Sequence, residues 1–227
     1  MNNIFEKQLL HVLFLIFSGI GICLVGSIER IGEGSLWGID TMHWLYLLVG
    51  TTVIHQFFMW FCWRSELYSG LLSRWFGKNA FTVYAVLFFM LILTRPVFMI
   101  FLAISNRGTL PLNRAFGMST AIILAVPSIY LFYSVGRYFG FKRASGIDHF
   151  DVSYRKHALV KKGIFRFTNN GMYIFGFFIV WIPGILLSST TALVAALFSH
   201  LYIWVHYICT EKPDMEYIYG TRNKMKK

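Results

Sequence analysis

Long apolar runs alternate with short polar stretches along this chain. Six runs approach the roughly 20 apolar residues that a helix needs to cross a bilayer. They are Leu9–Ile28, Met42–Trp63, Phe81–Ile104, Met118–Tyr138, Met172–Ser188 and Thr191–Cys209. The pattern predicts an all-α polytopic membrane bundle of about six spans. The fifth run is the shortest and is broken by Pro183-Gly184, which predicts a tilt, a kink or close pairing with the sixth. The runs are joined through Ser188-Ser189-Thr190-Thr191, with only Ser189 and Thr190 between them, so they form a hairpin. Polar groups before its first arm and after its second then share one side of the membrane. The first run has no small-residue cleavage site and reads as a retained span. The expected organisation is one membrane domain. Residues 1–138 form a four-span scaffold, and residues 139–227 supply a loop, the hairpin and a tail.

Composition sharpens this picture. Charged residues are 14% of the chain and hydrophobic ones 56%, against about 25% charged in soluble domains. The net charge of +11 sits in short loops, and no soluble basic domain is present to carry nucleic acid. Seventeen of the 21 Lys and Arg fall on one side of the predicted spans and three on the other, with Arg95 inside the third run. The positive-inside rule then places both termini and the loop from Phe139 to Asn170 in the cytoplasm. The expected location is a bacterial inner membrane or the endoplasmic reticulum. Cys23, Cys62 and Cys209 are scattered, with no metal-ligand spacing, and read as reduced, buried thiols.

Polar residues inside a span need a reason. Arg95-Pro96 has two readings. The arginine snorkels or bonds carbonyls freed by the proline, or it pairs with an anionic head group. His55 and His43, in or near the second run, read as hydrogen-bonded packing residues. The loop holding Asp148, His149, Asp151, Arg155 and His157 also has two readings. One is a solvated basic loop that sets topology and touches anionic lipid. The other is a lid or wall of a head-group site.

The final hairpin carries the densest chemistry. On a helix, His200, Trp204, Tyr207 and Glu211 fall at i, i+4, i+7 and i+11, one stripe about 16 Å long. An interface belt explains Tyr207 but explains the deeper His200 and Trp204 less well. The hairpin's entry reads Asn169-Asn170-Gly171-Met172-Tyr173, with Gly176 one turn on. Gly171 can take backbone angles closed to other residues, Asn170 can cap, and free helix-start amides suit a carboxylate or phosphate.

The stretch G-I-F-R-F-T-N-N-G-M-Y-I-F-G, followed by T-E-K-P-D-M-E-Y-I-Y-G, resembles the integral-membrane methyltransferases. These include phosphatidylethanolamine N-methyltransferases and isoprenylcysteine carboxyl methyltransferases. Trp63–Lys78 is similar to a loop of the phospholipid enzymes. The resemblance covers residues 157–220 closely. It implies S-adenosylmethionine held by the last spans at the cytoplasmic face, with a lipid acceptor entering laterally. Asn170 takes the family's His or Asn position, Tyr173 and Gly176 its Tyr and Gly, and Glu211 its second Glu. Gly171 stands in place of the family's Pro, and Thr210 in place of its first Glu.

That cofactor carries a sulfonium, an ammonium and a carboxylate. Glu211 suits the ammonium or ribose hydroxyls, the amides near Asn170 suit the carboxylate, and the stripe of His200, Trp204 and Tyr207 with Tyr173 offers rings to adenine or the sulfonium. An amine acceptor must lose a proton before it attacks, and His149, His157, Glu211 and water are the candidate bases. The expected acceptor is a phospholipid amine. A prenylcysteine carboxylate or a small thiol is the alternative within the class. A haem-bearing electron carrier using His55 and His200 is an alternative outside it, as is a lipid-binding member without activity.

Overall fold

The computed structural model describes residues 4–158 and 160–224, leaving aside the side chains of Glu29, Arg30 and residues 221–224. Arg30, Arg222, Lys224, Lys226 and Lys227, counted above for orientation, therefore lie outside the described side chains.

Among the described residues, five helices are long and apolar enough to cross a membrane. They contain α1 (Gln8–Gly26), α2 (Thr41–Ser69), α3 (Ala80–Ser105), α4 (Arg114–Ser134) and α5 (Thr190–His206). Their starts follow local chemistry. Asp40 accepts the His43 amide at the head of α2, Asn113 accepts from Ala115 and Phe116 at α4, and Ser189 accepts from Ala192 at α5. Each side chain satisfies a helix-start donor that has no partner inside the helix. Gly70 ends α2 in the left-handed region, where glycine avoids a Cβ clash.

The predicted fifth span is not one helix. It is a helix of Gly171–Ile174, a 3-10 stretch of Gly176–Val180 and a helix of Ile182–Leu186. Pro183 lies in the first turn of the last piece, where its missing N–H costs little. The sixth run does not stop at Cys209. It passes through a π turn, Tyr207–Glu211, into a helix of Lys212–Lys224. A two-stranded ribbon pairs Ser35–Leu36 with Ile39–Asp40 across Trp37-Gly38, both at positive φ.

Packing follows membrane logic. In α1 only Gln8 and His11 are buried, while Leu9, Leu10, Phe17, Ile20 and Leu24 face outward. Polar groups turn in and apolar ones turn out toward lipid. Where α2, α3 and α5 meet, Ala103, Ala192, Ala195 and Ala196 pack with Trp44, Leu48 and Met99. Small residues let the backbones approach closely. At the ribbon end, Asn106 fastens three segments. Its amide donates to the Glu33 carbonyl, and its oxygen accepts from Ser189 Oγ and the Thr191 amide.

Candidate active site

At the opposite end of the bundle, α2, the loop after α4 and the final helix bury a cluster of charged side chains. Arg64, at the end of α2, is fully buried. Its Nε donates to Asp214 Oδ1 at 3.0 Å. Its Nη2 donates to the Cys209 carbonyl at 2.8 Å, and its Nη1 to the carbonyls of Ile4 and Glu6. The Cys209 carbonyl is free for a local reason. Its partner four residues on would be residue 213, and Pro213 has no N–H. Gln8 Nε2 is a second donor to that carbonyl, at 3.2 Å.

Asp214 is also fully buried and takes Tyr68 Oη at 3.4 Å on the same oxygen as Arg64. Its Oδ2 lies 3.3 Å from His149 Nε2, at ion-pair distance but without hydrogen-bond alignment. His149 Nδ1 faces the Gly146 carbonyl at 3.2 Å. Both ring nitrogens thus face oxygen atoms. The ring stacks on Trp63, centroids 4.4 Å apart, and Trp63 also meets the edge of buried His206.

Asp148 forms the second arm of the cluster. Tyr219 donates to its Oδ2 at 2.6 Å, and Arg143 Nε lies 3.5 Å from the same oxygen. Arg143 also donates to Tyr219 Oη and to the Ala158 carbonyl. Glu211 lies within electrostatic reach of Asp214 and Asp148. It makes no hydrogen bond or ion pair among the described residues, and it is half-buried. Three carboxylates therefore gather here, two of them paired and one free.

The loop from Phe139 to Asn170 divides in two. Ser145–His149 is buried, whereas Asp151–Ser153 and Lys156–Ala158 are exposed. At exposed Asp151, the Ser153 hydroxyl and amide hold the carboxyl below the usual carboxylate range. His157 is exposed, its ring against Tyr154. It helps line an open cavity of about 500 Å³ with Lys142, Arg143, Tyr138, Phe139 and Tyr154.

The hairpin brings a separate group together. Tyr173 packs against Trp204 and Tyr207, centroids 5.7 and 5.1 Å away. His200 Nδ1 accepts from Trp181 Nε1 at 3.1 Å, and its Nε2 donates to the Tyr173 carbonyl at 3.0 Å. Both nitrogens are used in tying the two arms, which leaves no lone pair for a haem iron. The stripe runs from His200 to Tyr207. The π turn then spends an extra residue, so Glu211 faces away from the azimuth that regular spacing gives it.

Two local expectations at the hairpin entry change. Asn170 makes no side-chain cap; its carbonyl accepts from the Tyr173 and Ile174 amides. Gly171 is not at positive φ, and a Cβ there would meet Ile164, Leu131 and Phe165 at ordinary contact distances. Gly176 is the constrained one, because a Cβ would press on Leu131 of α4. Asn170 and Glu211 both lie outside the lining of the open cavity.

Arg64, Asp214, Tyr68 and Tyr219 join the site only in the folded structure. One signal was present: a proline within a helical run orphans a carbonyl, and a buried donor must meet it.

Residues 113–222 match the family model described as phospholipid methyltransferase. The match takes in α4, the loop, the hairpin and most of the final helix, and it is the kind of enzyme the hairpin motifs resemble. Among curated proteins and among solved structures, none matches.

Proposed function

We propose that this membrane methyltransferase of the phospholipid methyltransferase kind takes its methyl group from S-adenosylmethionine and passes it to a phospholipid amine. The observation that carries the reading is Glu211, a half-buried carboxylate with no partner among the described residues, beside two that are paired. Such a group suits a cationic ligand, and the cofactor has two cationic centres. When bound, it supplies an electrophilic methyl on sulfur.

Glu211 is the carboxylate that meets the ammonium or the sulfonium. Tyr173, Trp204 and Tyr207 present ring faces for adenine and for positive charge. His149 and Asp214 have fully buried side chains, so they act as positioning residues. With Arg64 they fix the π turn on which Glu211 sits. The cavity beside Lys142, Arg143 and His157 suits the phosphate of a lipid head group, and its openness lets water take the amine's proton. His157 thereby serves as an anion contact rather than a base. In-line transfer gains most from alignment and from exclusion of water at the reacting atoms. The basic loops support placing this end of the bundle in the cytoplasm, where the cofactor and anionic lipid would be met.

Radiolabelled methyl transfer into membranes, resolved by lipid class, tests the proposal. Label in an amine phospholipid, lost in Glu211→Gln, is the expected result. Folded protein that labels no lipid class overturns it. Label in a prenylated carboxyl ester instead would move the acceptor and keep the enzyme class.

A further inference from the structure

Arg95 occupies the middle of α3, about 22 Å from its start and about 15 Å from its end at 1.5 Å per residue. It is 4% exposed, so it does not snorkel out of the bundle. It makes no hydrogen bond to the carbonyls near Pro96 either: Nε and Nη2 are both buried without a partner among the described residues. Both local explanations for this residue are thereby removed. One face of the guanidinium lies over the Phe177 ring, 5.1 Å from its centroid. The free nitrogens, Nε and Nη2, share one edge of the group. That edge is the fork with which arginine takes a carboxylate or phosphate bidentately.

No counter-ion is available from the chain at this depth. Residues 7–28, 41–65, 67–147 and 152–210 contain no Asp or Glu. A lone buried cation is expensive and calls for an anion. The helices around it hold further unpaired polar atoms. On α2 these are both ring nitrogens of His55, the Gln56 amide and Thr52 Oγ1; on α5 there is Ser199 Oγ. His55 and Tyr202 lie within electrostatic reach of Arg95.

We infer that the Arg95 edge, with His55 beside it, is a binding site for the oxyanion of a membrane amphiphile, a carboxylate or a phosphate monoester. The apolar helices around it favour an anion carried on an acyl chain over a free ion from water. The site is built from the second and third spans with Phe177 of the hairpin, and it does not depend on the methyltransferase reading.

The test uses the full chain in phosphatidylcholine nanodiscs at 0.5 M salt, which screens contacts at the basic surface far more than a buried pair. Native mass spectrometry follows retention of two probes, oleate and phosphatidate. Wild type is expected to hold one molecule of at least one probe. Arg95→Gln is expected to weaken that binding about ten-fold or more, and Arg95→Lys to restore part of it. Retention of oleate alone identifies a carboxylate site, and of phosphatidate alone a phosphate site. Equal retention by wild type and Arg95→Gln overturns the inference, as does failure of wild type to hold either probe. The wild-type measurement keeps the inference falsifiable even where Arg95→Gln does not fold.

Discussion

Arg64 and Asp214 lie 150 positions apart in the chain and meet at 3.0 Å, with both side chains sealed from solvent. Breaking one partner of such a pair leaves a buried charge uncompensated and costs about 3–5 kcal/mol. The two partners are not equivalent. Arg64→Gln also strips donors from the carbonyls of Ile4, Glu6 and Cys209, whereas Asp214→Asn keeps an acceptor for Arg64. Thermal unfolding in detergent should show Arg64→Gln as the more damaging change. Equal loss from the two would mean that the carbonyl contacts contribute little.

Glu211 should separate stability from activity. It holds no partner among the described residues, so Glu211→Gln removes one of three crowded carboxylates and relieves repulsion from Asp148 and Asp214. The melting temperature should stay level or rise slightly. Methyl transfer should fall about a hundred-fold, with the larger share in the apparent affinity for S-adenosylmethionine. A variant that melts earlier and works normally would assign Glu211 to the scaffold.

The pattern of apolar runs was enough to place α1 to α5, because each carries more apolar residues than a soluble helix needs. The structure goes beyond it in two places for identifiable reasons. The run Met172–Ser188 has helical composition throughout, but the tight approach of Gly176 to Leu131 and the position of Pro183 divide it into short pieces. Hydrophobicity does not register a 3-10 segment. The end at Cys209 was set by the first charges, Glu211 and Lys212. Yet a helix continues past such charges when another element holds the next one, and here Arg64 and the loop around His149 bury Asp214. The aromatic group of Tyr173, Trp204 and Tyr207 was legible because its members sit at helical spacing or in a quoted motif. The Arg64–Asp214 pair was not, since nothing local connects positions so distant.

Pro213 makes the π turn testable. Proline inside a helix costs about 3 kcal/mol, and here Arg64 and Gln8 supply the donors it withholds from Cys209. Pro213→Ala returns an N–H to that carbonyl. The variant should melt at the same temperature or higher, and it should lose methyl transfer, because a straightened turn moves Glu211. Hydrogen exchange at residue 213 would report whether the new amide is protected. Full activity with a protected amide would show that the wide turn is dispensable.

Two glycines at opposite ends of the bundle distinguish damage to the site from damage to the fold. Gly146 sits at φ +87, and a Cβ there would fall inside the Trp63 indole. Gly34 sits at φ +96, and a Cβ there would collide with the Ser105 carbonyl. Each alanine variant meets a backbone angle that L residues avoid, together with a clash, for a cost of more than about 2 kcal/mol. The consequences should diverge. Gly146→Ala pushes the loop off Trp63, and with it the ring of His149 that faces Asp214. Gly34→Ala disturbs only the ribbon end, where Thr41 and Asn106 hold the Glu33 carbonyl. At a temperature where both variants remain folded, Gly146→Ala should lose methyl transfer and expose the loop to proteolysis near Arg155. Gly34→Ala should keep its specific activity. Similar activity in the two would detach the His149 loop from the reaction and leave it a structural strap.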